Sequence, residues 1–465
     1  MHLSIQLSIQ ESIHMRSLET LLRQGPATAS YLAQTMAISQ PTVSRQLNGL
    51  KDKVLKIGKG RATEYALRRP IAGDRGEEGR FPLYRIDERG HAAHFANLYL
   101  IYPAEMCCVH QLASDTWQQF DSLPWYLTDM RPQGFLGRIW GKSVAAQLQL
   151  SDDVRLWNED HILLALSRQA DDMNGNLLIG EQSYQHWLAA PDPIPIEPEN
   201  KLTRYTELSQ MALAGEMVGS SAGGEQPKFT CYAGFSEQPP SYVIVKFTAT
   251  LDNPNSQRWA DLLIAESVAL NTLKQAGYQA ASTHVLQNQD RQTFLEVERF
   301  DRCEQRGRIG MVSLEAVNAE FVGMPVASWP KVCRELVAKG LLSLAQFEQV
   351  SLIWAFGVLI TNTDMHHGNL SFLYPEKTPL TLAPVYDMLP MAFAPSGTGS
   401  MRYTLPDITL SVDISRKHWL QAQALAQQFW CEVIVHPAIS HGFKEIAVQM
   451  QEKIASFTPV IARMA

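Results

Sequence analysis

Near the start of the chain, apolar residues recur three times at helical spacing. Leu18, Leu21 and Leu22 predict a short first helix. Thr28 stands where it can cap a second helix, in which Tyr31, Leu32 and Met36 share a face. Ala37-Ile38-Ser39 reads as a tight turn. Residues 40–48 open a third helix, and Pro41 suits its first turn because a missing N–H costs nothing there. Val43, Leu47 and Leu50 face inward in that helix, while Gln40, Thr42, Ser44, Arg45 and Asn48 face outward. The period then changes to two. Residues 54–57 and 63–67 flank Gly58-Lys59-Gly60-Arg61, which predicts a hairpin. Three helices and a basic hairpin make a winged helix-turn-helix over residues 17–70.

Residues 71–80 form a Gly-rich, charged linker, and residues 81–190 mix short strands and helices without legible chemistry. The Pro-rich stretch at 191–198 predicts a stiff extended connector. Residues 242–247 alternate as a strand, 258–276 read as a helix, and 294–302 form an apolar strand that ends in charge. Beyond Gly310 the pattern is mostly helical, with a short strand pair around residues 362–387. The longest apolar run, 352–360, is too short to span a membrane and reads as a buried helix. The expected fold class is α+β. A tail occupies 1–16, with Met15 an alternative start to Met1, and the winged domain follows at 17–70. A mixed subdomain at 81–200, a small lobe at 201–305 and a helical lobe at 306–465 complete the chain.

Composition narrows the class. With 45% hydrophobic and 19% charged residues, the chain reads as globular. Its net charge of −7 is unevenly spread: residues 45–69 carry a net of +6, which leaves −13 on the remainder. A basic segment on an acidic chain points to a polyanion partner, double-stranded DNA, for that segment alone. The outward side chains of the third helix suit base edges and phosphates in a major groove. Lys59 and Arg61 at the hairpin tip suit the backbone or minor groove. A small protein-interaction domain with a solvated basic face is the plainer alternative. The six cysteines show no C-x-x-C spacing, which fits reduced thiols in a cytoplasmic protein. The first residues lack the basic region and apolar core of a signal peptide.

The chemistry concentrates in Asn362-Thr363-Asp364-Met365-His366-His367-Gly368-Asn369 and in Tyr386-Asp387-Met388. An Asp, an Asn five residues later and a second Asp eighteen residues further on are what phosphoryl transfer from a nucleotide requires. One carboxylate, Asp364, orients a hydroxyl. Asn369 and Asp387 hold magnesium on the phosphates. Upstream lies a small-residue loop with Gly223, Gly224 and Lys228, whose backbone N–H groups and positive charge suit phosphate oxygens. Lys246 then sits on a strand and Glu266 on the following helix, where the two can pair. The apolar strand at 294–302 stops in charge, which suits a hinge whose backbone groups can bond an adenine. Taken alone, each part has a plainer reading: a hairpin turn, a solvated Lys, a surface Glu, an edge strand. Their order over about 170 residues is the argument. His366 and His367 do not read as a zinc pair, because adjacent side chains diverge and no third ligand is near.

Ser221 through Lys228, Val245-Lys246-Phe247, Val297-Glu298-Arg299-Phe300-Asp301-Arg302, Asn362 through Asn369, and Tyr386 through Leu389 resemble the HipA family of bacterial serine/threonine kinase toxins. The resemblance implies a two-lobed, kinase-like fold that uses ATP and Mg2+. It implies that Lys246 meets ATP, that Glu298 and Phe300 form the adenine hinge, that Asp364 is catalytic, and that Asn369 and Asp387 bind metal. It further implies autophosphorylation of the glycine-loop serine, Ser221, with Ser220 a second acceptor, and ejection of the loop afterwards. Aminoacyl-tRNA synthetases are the implied class of protein substrate. Typical members borrow DNA binding from a separate antitoxin, so a fused winged domain puts the need for that partner in question. The alternatives are a nucleotide-sensing DNA-binding regulator with little kinase activity, and a small-molecule phosphotransferase.

Overall fold

A computed structural model describes residues 17–464 apart from 51, 72–78, 171, 216–225, 250–252, 375–378, 397–398 and 403. Ser220, Ser221, Gly223 and Gly224 lie outside the described residues, as does the side chain of Arg61.

The N-terminal unit follows its capping chemistry. Helix α1 (Leu18–Leu22) starts at Ser17, whose side chain accepts the N–H of Thr20. Strand β1 (Ala27–Thr28) leads to α2 (Ala29–Met36), capped by Thr28. Ala37 takes the left-handed conformation and ends α2, and Ser39 caps α3 (Gln40–Gly49). Strands β2 (Val54–Ile57) and β3 (Glu64–Leu67) pair antiparallel, and β1 joins them to give the order β1-β3-β2. Leu18, Leu22, Leu32, Val43 and Leu47 close a separate small core.

The middle region, illegible in the sequence, is a five-stranded antiparallel sheet in the order β7-β6-β5-β4-β8. Its strands are β4 (Arg80–Ile86), β5 (Ala92–Leu100), β6 (Cys107–Gln111), β7 (Thr116–Phe120) and β8 (Leu177–Ile179). Helices α4 (Gly134–Leu148), α5 (Glu159–Gln169) and α6 (Glu181–Ala189) accompany it. The connector at 191–198 is no free spacer. Ile196 bridges Ala233 and adds to the edge of the next sheet.

The small lobe is an antiparallel sheet in the order β11-β12-β10-β9, formed by β9 (Lys228–Ala233), β10 (Ser241–Phe247), β11 (Thr283–Gln287) and β12 (Thr293–Glu298). Helix α7 (Lys201–Leu213) packs on one face, through Tyr205 and Leu208 against Phe229, Val243, Val245 and Phe294. Helix α8 (Pro254–Gln275) covers the other and begins four residues earlier than its apolar pattern predicts, because Asn253 caps it. The large lobe contains β13 (Met311–Ser313), α9 (Leu314–Phe321), α10 (Trp329–Ala338), α11 (Leu344–Leu359), β14 (Ser371–Leu373), β15 (Thr381–Leu382), α12 (Arg416–Val435) and α13 (His441–Ala455). Trp329, Trp419 and Trp430 are fully buried there, each contributing about 1.5–3 kcal/mol or more through apolar burial. Among the described residues, no helix is long and apolar enough to cross a membrane.

Candidate active site

Strand alternation places the first group. Val243, Val245 and Phe247 point into the core under α7, so Lys246 emerges on the opposite face. Glu266 projects from the buried middle of α8 and is wholly inaccessible. Lys246 Nζ donates to both its oxygens, at 2.7 and 2.8 Å, and also to Asp387 Oδ1. The plainer readings of these residues, a solvated Lys and a surface Glu, do not describe them. Burial opposes the charge on Lys246, but Asp387 and Glu266 outweigh it and hold its pKa above the ordinary lysine value. Burial favours the neutral form of Asp387, yet Lys246 and Lys228 outweigh that and keep its carboxyl below the usual range.

Asp387 is brought here by its own strand segment. Ala281 N–H donates to Val385 O, and Val385 N–H to Gln279 O, which zips this segment to the small lobe. Asp387 itself adopts φ 51°, the left-handed region, which costs a non-glycine residue about 1 kcal/mol or more. Asn362 holds it by donating Nδ2 to Asp387 O at 3.1 Å.

The loop after α11 is tied at nearly every residue. Asp364 N–H donates to Asn362 Oδ1 at 3.0 Å, and Asn369 Nδ2 donates to Asp364 O at 2.8 Å. The amide oxygen of Asn369 is thereby the atom left for a cation. Tyr386 hydroxyl donates to Gly368 O at 2.8 Å. The two histidines have separate tasks. Asn318 Nδ2 donates to His367 Nδ1, so the His367 Nε2–H donates to Ala327 O at 2.7 Å. His366 accepts the N–H of Gly368, and its carbonyl accepts from Trp329 Nε1. Among the described residues no group of three or more His, Cys, Asp or Glu is arranged to hold a metal. Asp364 remains exposed, with its pKa raised above the ordinary aspartate value, first by partial burial and then by Asp387.

These groups line a cleft with two connected ends. A cavity of about 400 Å³ is bounded by Ile244, Val297, Glu298, Phe300, Asn369 and Asp387, and Lys246 reaches it. A second, of about 810 Å³, is lined by Lys228, Lys246, Asp364, Asp387, Trp259, Leu389 and Met391. Lys228 is buried and pairs across the sheet with Lys246. Phe300 stacks on Tyr386 with centroids 5.8 Å apart. The hinge backbone is ordered by Glu298 N–H to Ser282 O and Arg299 N–H to Tyr242 O, each 2.9 Å.

Sequence reasoning missed why the hinge ends in charge. Arg299 pairs with Asp301 at 2.8 Å. Arg302 pairs with Asp301 at 2.7 Å and with Asp172 of the middle region at 2.6 Å. Burial works against the Asp301 carboxylate, but Arg299 and Arg302 hold it far below the usual carboxylate range. The signal was the density of opposite charges in an apolar strand, although their partner Asp172 lies outside it.

In the winged unit Gln40, Ser44, Arg45 and Asn48 are exposed, and Thr42 is partly covered, its hydroxyl 2.9 Å from Ser39 Oγ. The basic strip is less open than its charge count implies. Lys59 pairs with Asp115 of the middle sheet at 2.8 Å, and His110 shares that carboxylate. Arg69 is buried against Asp160. Ile57 and Ala66 of the hairpin join Ile101 and Cys108 of the middle sheet in one apolar seam. The hairpin is therefore docked along its length, and Arg68 and Arg69 serve that junction.

This architecture, an antiparallel-sheet small lobe joined by a hinge to a helical lobe bearing the Asp364 loop, defines a kinase-like fold. Residues 220–456 match the family described as HipA-like C-terminal domain, and residues 77–188 match YjjJ-like toxin, middle domain. The toxin YjjJ of Escherichia coli K12 is 49% identical over 453 residues, which is 97% of this chain and all of that protein. The chain belongs to the HipA-like toxin family. A putative kinase of Haemophilus influenzae is 23% identical over 205 residues, 40% of this chain and 57% of that one. Among solved structures, a chain of the HipA, HipB and operator DNA complex of Shewanella oneidensis MR-1 has a TM-score of 0.45 at 17% identity, covering 82% of this chain and 94% of that one. The Helicobacter pylori proinflammatory kinase CtkA has a TM-score of 0.35 at 14% identity, covering 52% and 91%.

Proposed function

We propose that this protein is an ATP- and Mg2+-dependent serine/threonine protein kinase joined to a DNA-binding winged helix. The observation that carries this reading is the buried Lys246–Glu266 pair, joined by the partly exposed Asp387; Lys246 and Asp387 line one cavity with Glu298, Phe300 and Asp364. Lys246 and Lys228 neutralise phosphate oxygens. Asp364 orients the acceptor hydroxyl and takes its proton as the oxygen bonds to the γ-phosphorus and the bond to the departing ADP oxygen breaks. Asn369 and Asp387 are the residues that would hold Mg2+. Two protein oxygens suit it, because this ion draws its other ligands from water and phosphate. When bound, it supplies charge neutralisation on the β- and γ-oxygens.

Ser221, with Ser220 second, is the proposed site of autophosphorylation. An aminoacyl-tRNA synthetase is the proposed class of substrate. The winged helix would read double-stranded DNA through Gln40, Thr42, Ser44, Arg45 and Asn48, and a separate antitoxin would then be an additional partner rather than the source of DNA binding. The decisive experiment measures phosphate transfer from labelled ATP by the full chain and by Asp364→Ala. Transfer that disappears in the variant supports the reading. Full turnover by folded Asp364→Ala overturns the catalytic assignment, and ATP binding without transfer by the wild type favours the nucleotide-sensing regulator.

A further inference from the structure

One wall of the hinge cavity comes from outside the two kinase-type lobes. Asp129, Gln133, Gly134 and Asn174, all from the middle region, line it together with Glu298, Phe300 and Asn369. They are held there by specific bonds. Asp129 accepts both the N–H and the hydroxyl of Ser313, each at 2.6 Å, and Ser313 caps α9 of the large lobe. The loop around Asn174 is fastened on both sides. Arg302 bonds Asp172 Oδ1 and Met173 O at 2.6 Å and Gly175 O at 3.1 Å, while Gly175 N–H donates to Asp301 Oδ2 at 2.9 Å. The buried charges that follow the hinge thus fix this loop against it. Pinned in this way, the loop presents the Asn174 side chain at the cavity wall.

The chemistry of that wall is selective. Gln133 occupies the N-cap position of α4, yet its side chain does not cap the helix. Among the described residues, neither the Gln133 nor the Asn174 amide has a hydrogen-bond partner. A carboxamide offers both donors and an acceptor and carries no charge. It therefore suits hydroxyl groups better than phosphates or the face of a base. The apolar part of the cavity, Ile244, Ala281, Val297 and Met311, lies beside the hinge. Phosphates belong at Lys246, Lys228 and Asp387. What remains between a base at the hinge and phosphates at the lysines is the sugar.

We infer that the middle region is a working part of the nucleotide site, with Asn174 and Gln133 hydrogen-bonding the ribose hydroxyls. This rests on the kinase reading above and assigns a sugar-recognition role within it. The middle region then sets nucleotide affinity as well as joining the winged helix to the catalytic lobes.

The test is calorimetry on the full chain with Mg-ADP and Mg-2′,3′-dideoxy-ADP, neither of which carries a transferable γ-phosphoryl group. The wild type is expected to prefer the ribose form by about tenfold, the size of one or two hydrogen bonds. Asn174→Ala and Gln133→Ala should each weaken ADP by roughly threefold to tenfold and leave dideoxy-ADP nearly unchanged. A purely structural role would weaken both nucleotides alike, and that result overturns the inference. Equal binding of the two nucleotides by the wild type overturns it as well. Gln133 is exposed at a helix start, so its variant remains informative if Asn174→Ala is unstable. If the wild type binds neither nucleotide, the kinase reading itself falls. If it binds ADP and both variants match it, only this inference does.

Discussion

Lys246 and Glu266, twenty residues apart, form a two-pronged ion pair at 2.7 and 2.8 Å in which the glutamate has no solvent access. Removing one member of such a pair leaves a charge buried without compensation. Lys246→Ala is therefore expected to cost about 3–5 kcal/mol of stability in addition to weakening nucleotide binding. Chemical denaturation and calorimetry read the two effects separately. Unchanged stability and unchanged affinity would reduce Lys246 to an ordinary strand residue.

Asp364 behaves differently because it is exposed and makes no side-chain ion pair among the described residues. Asp364→Ala should leave the denaturation curve within about 0.5 kcal/mol of wild type. The pKa of Asp364 is raised in the fold, and the ionised form is the one that accepts a proton. Transfer should thus rise with pH through a midpoint above the ordinary aspartate value. The stability linkage runs the other way: a raised folded pKa favours the fold at low pH, and that contribution is lost as pH rises through it. A pH–rate profile whose acid limb lies below the ordinary value would contradict the assignment.

Asp301→Asn should destabilise by about 3–5 kcal/mol, because Arg299 and Arg302 would keep buried charges with one counter-ion fewer. The folded pKa of Asp301 is depressed. Its contribution is complete above the unfolded value and is lost only as pH falls toward the lowered one. Thermal melts of wild type and variant should differ at neutral pH and converge in strong acid. A constant gap across that range would show that the carboxylate charge is not the cause.

DNA binding is best measured on the full chain, since Ile57 and Ala66 of the hairpin are covered by the middle sheet. Affinity should fall with salt, and each phosphate contact removed should flatten the slope by about one unit. Arg45→Ala or Asn48→Ala should change sequence preference. Lys59→Ala should have the smaller effect, because Asp115 already neutralises that charge. No affinity for duplex DNA at low salt would leave the winged unit as a protein-interaction domain.

Ser221 belongs to the small-residue loop in the sequence, so phosphorylation there would add about −1.5 to −2 charges to that loop. After incubation with Mg-ATP, intact mass is expected to rise by one phosphate, peptide fragmentation to place it within residues 219–224, and activity to fall in parallel. Ser221→Ala should stay active. An active enzyme with no phosphate in that segment would remove self-silencing while leaving the kinase reading in place.

Local pattern determined much of this protein. The two-residue period of β10 set the face of Lys246, and Thr28 and Pro41 marked where α2 and α3 begin. The spacing of Asp364, Asn369 and Asp387 marked residues that line the cleft, because they sit on short segments whose shape is written nearby. Tertiary structure alone decided the rest. It made Glu266 a buried partner rather than a surface charge, turned Lys59 and Arg69 toward the middle sheet, and brought Asn174 to the hinge through Arg302, 127 or more residues away. Periodicity records which side of an element is covered, whereas the identity of the covering residue depends on the path of the whole chain.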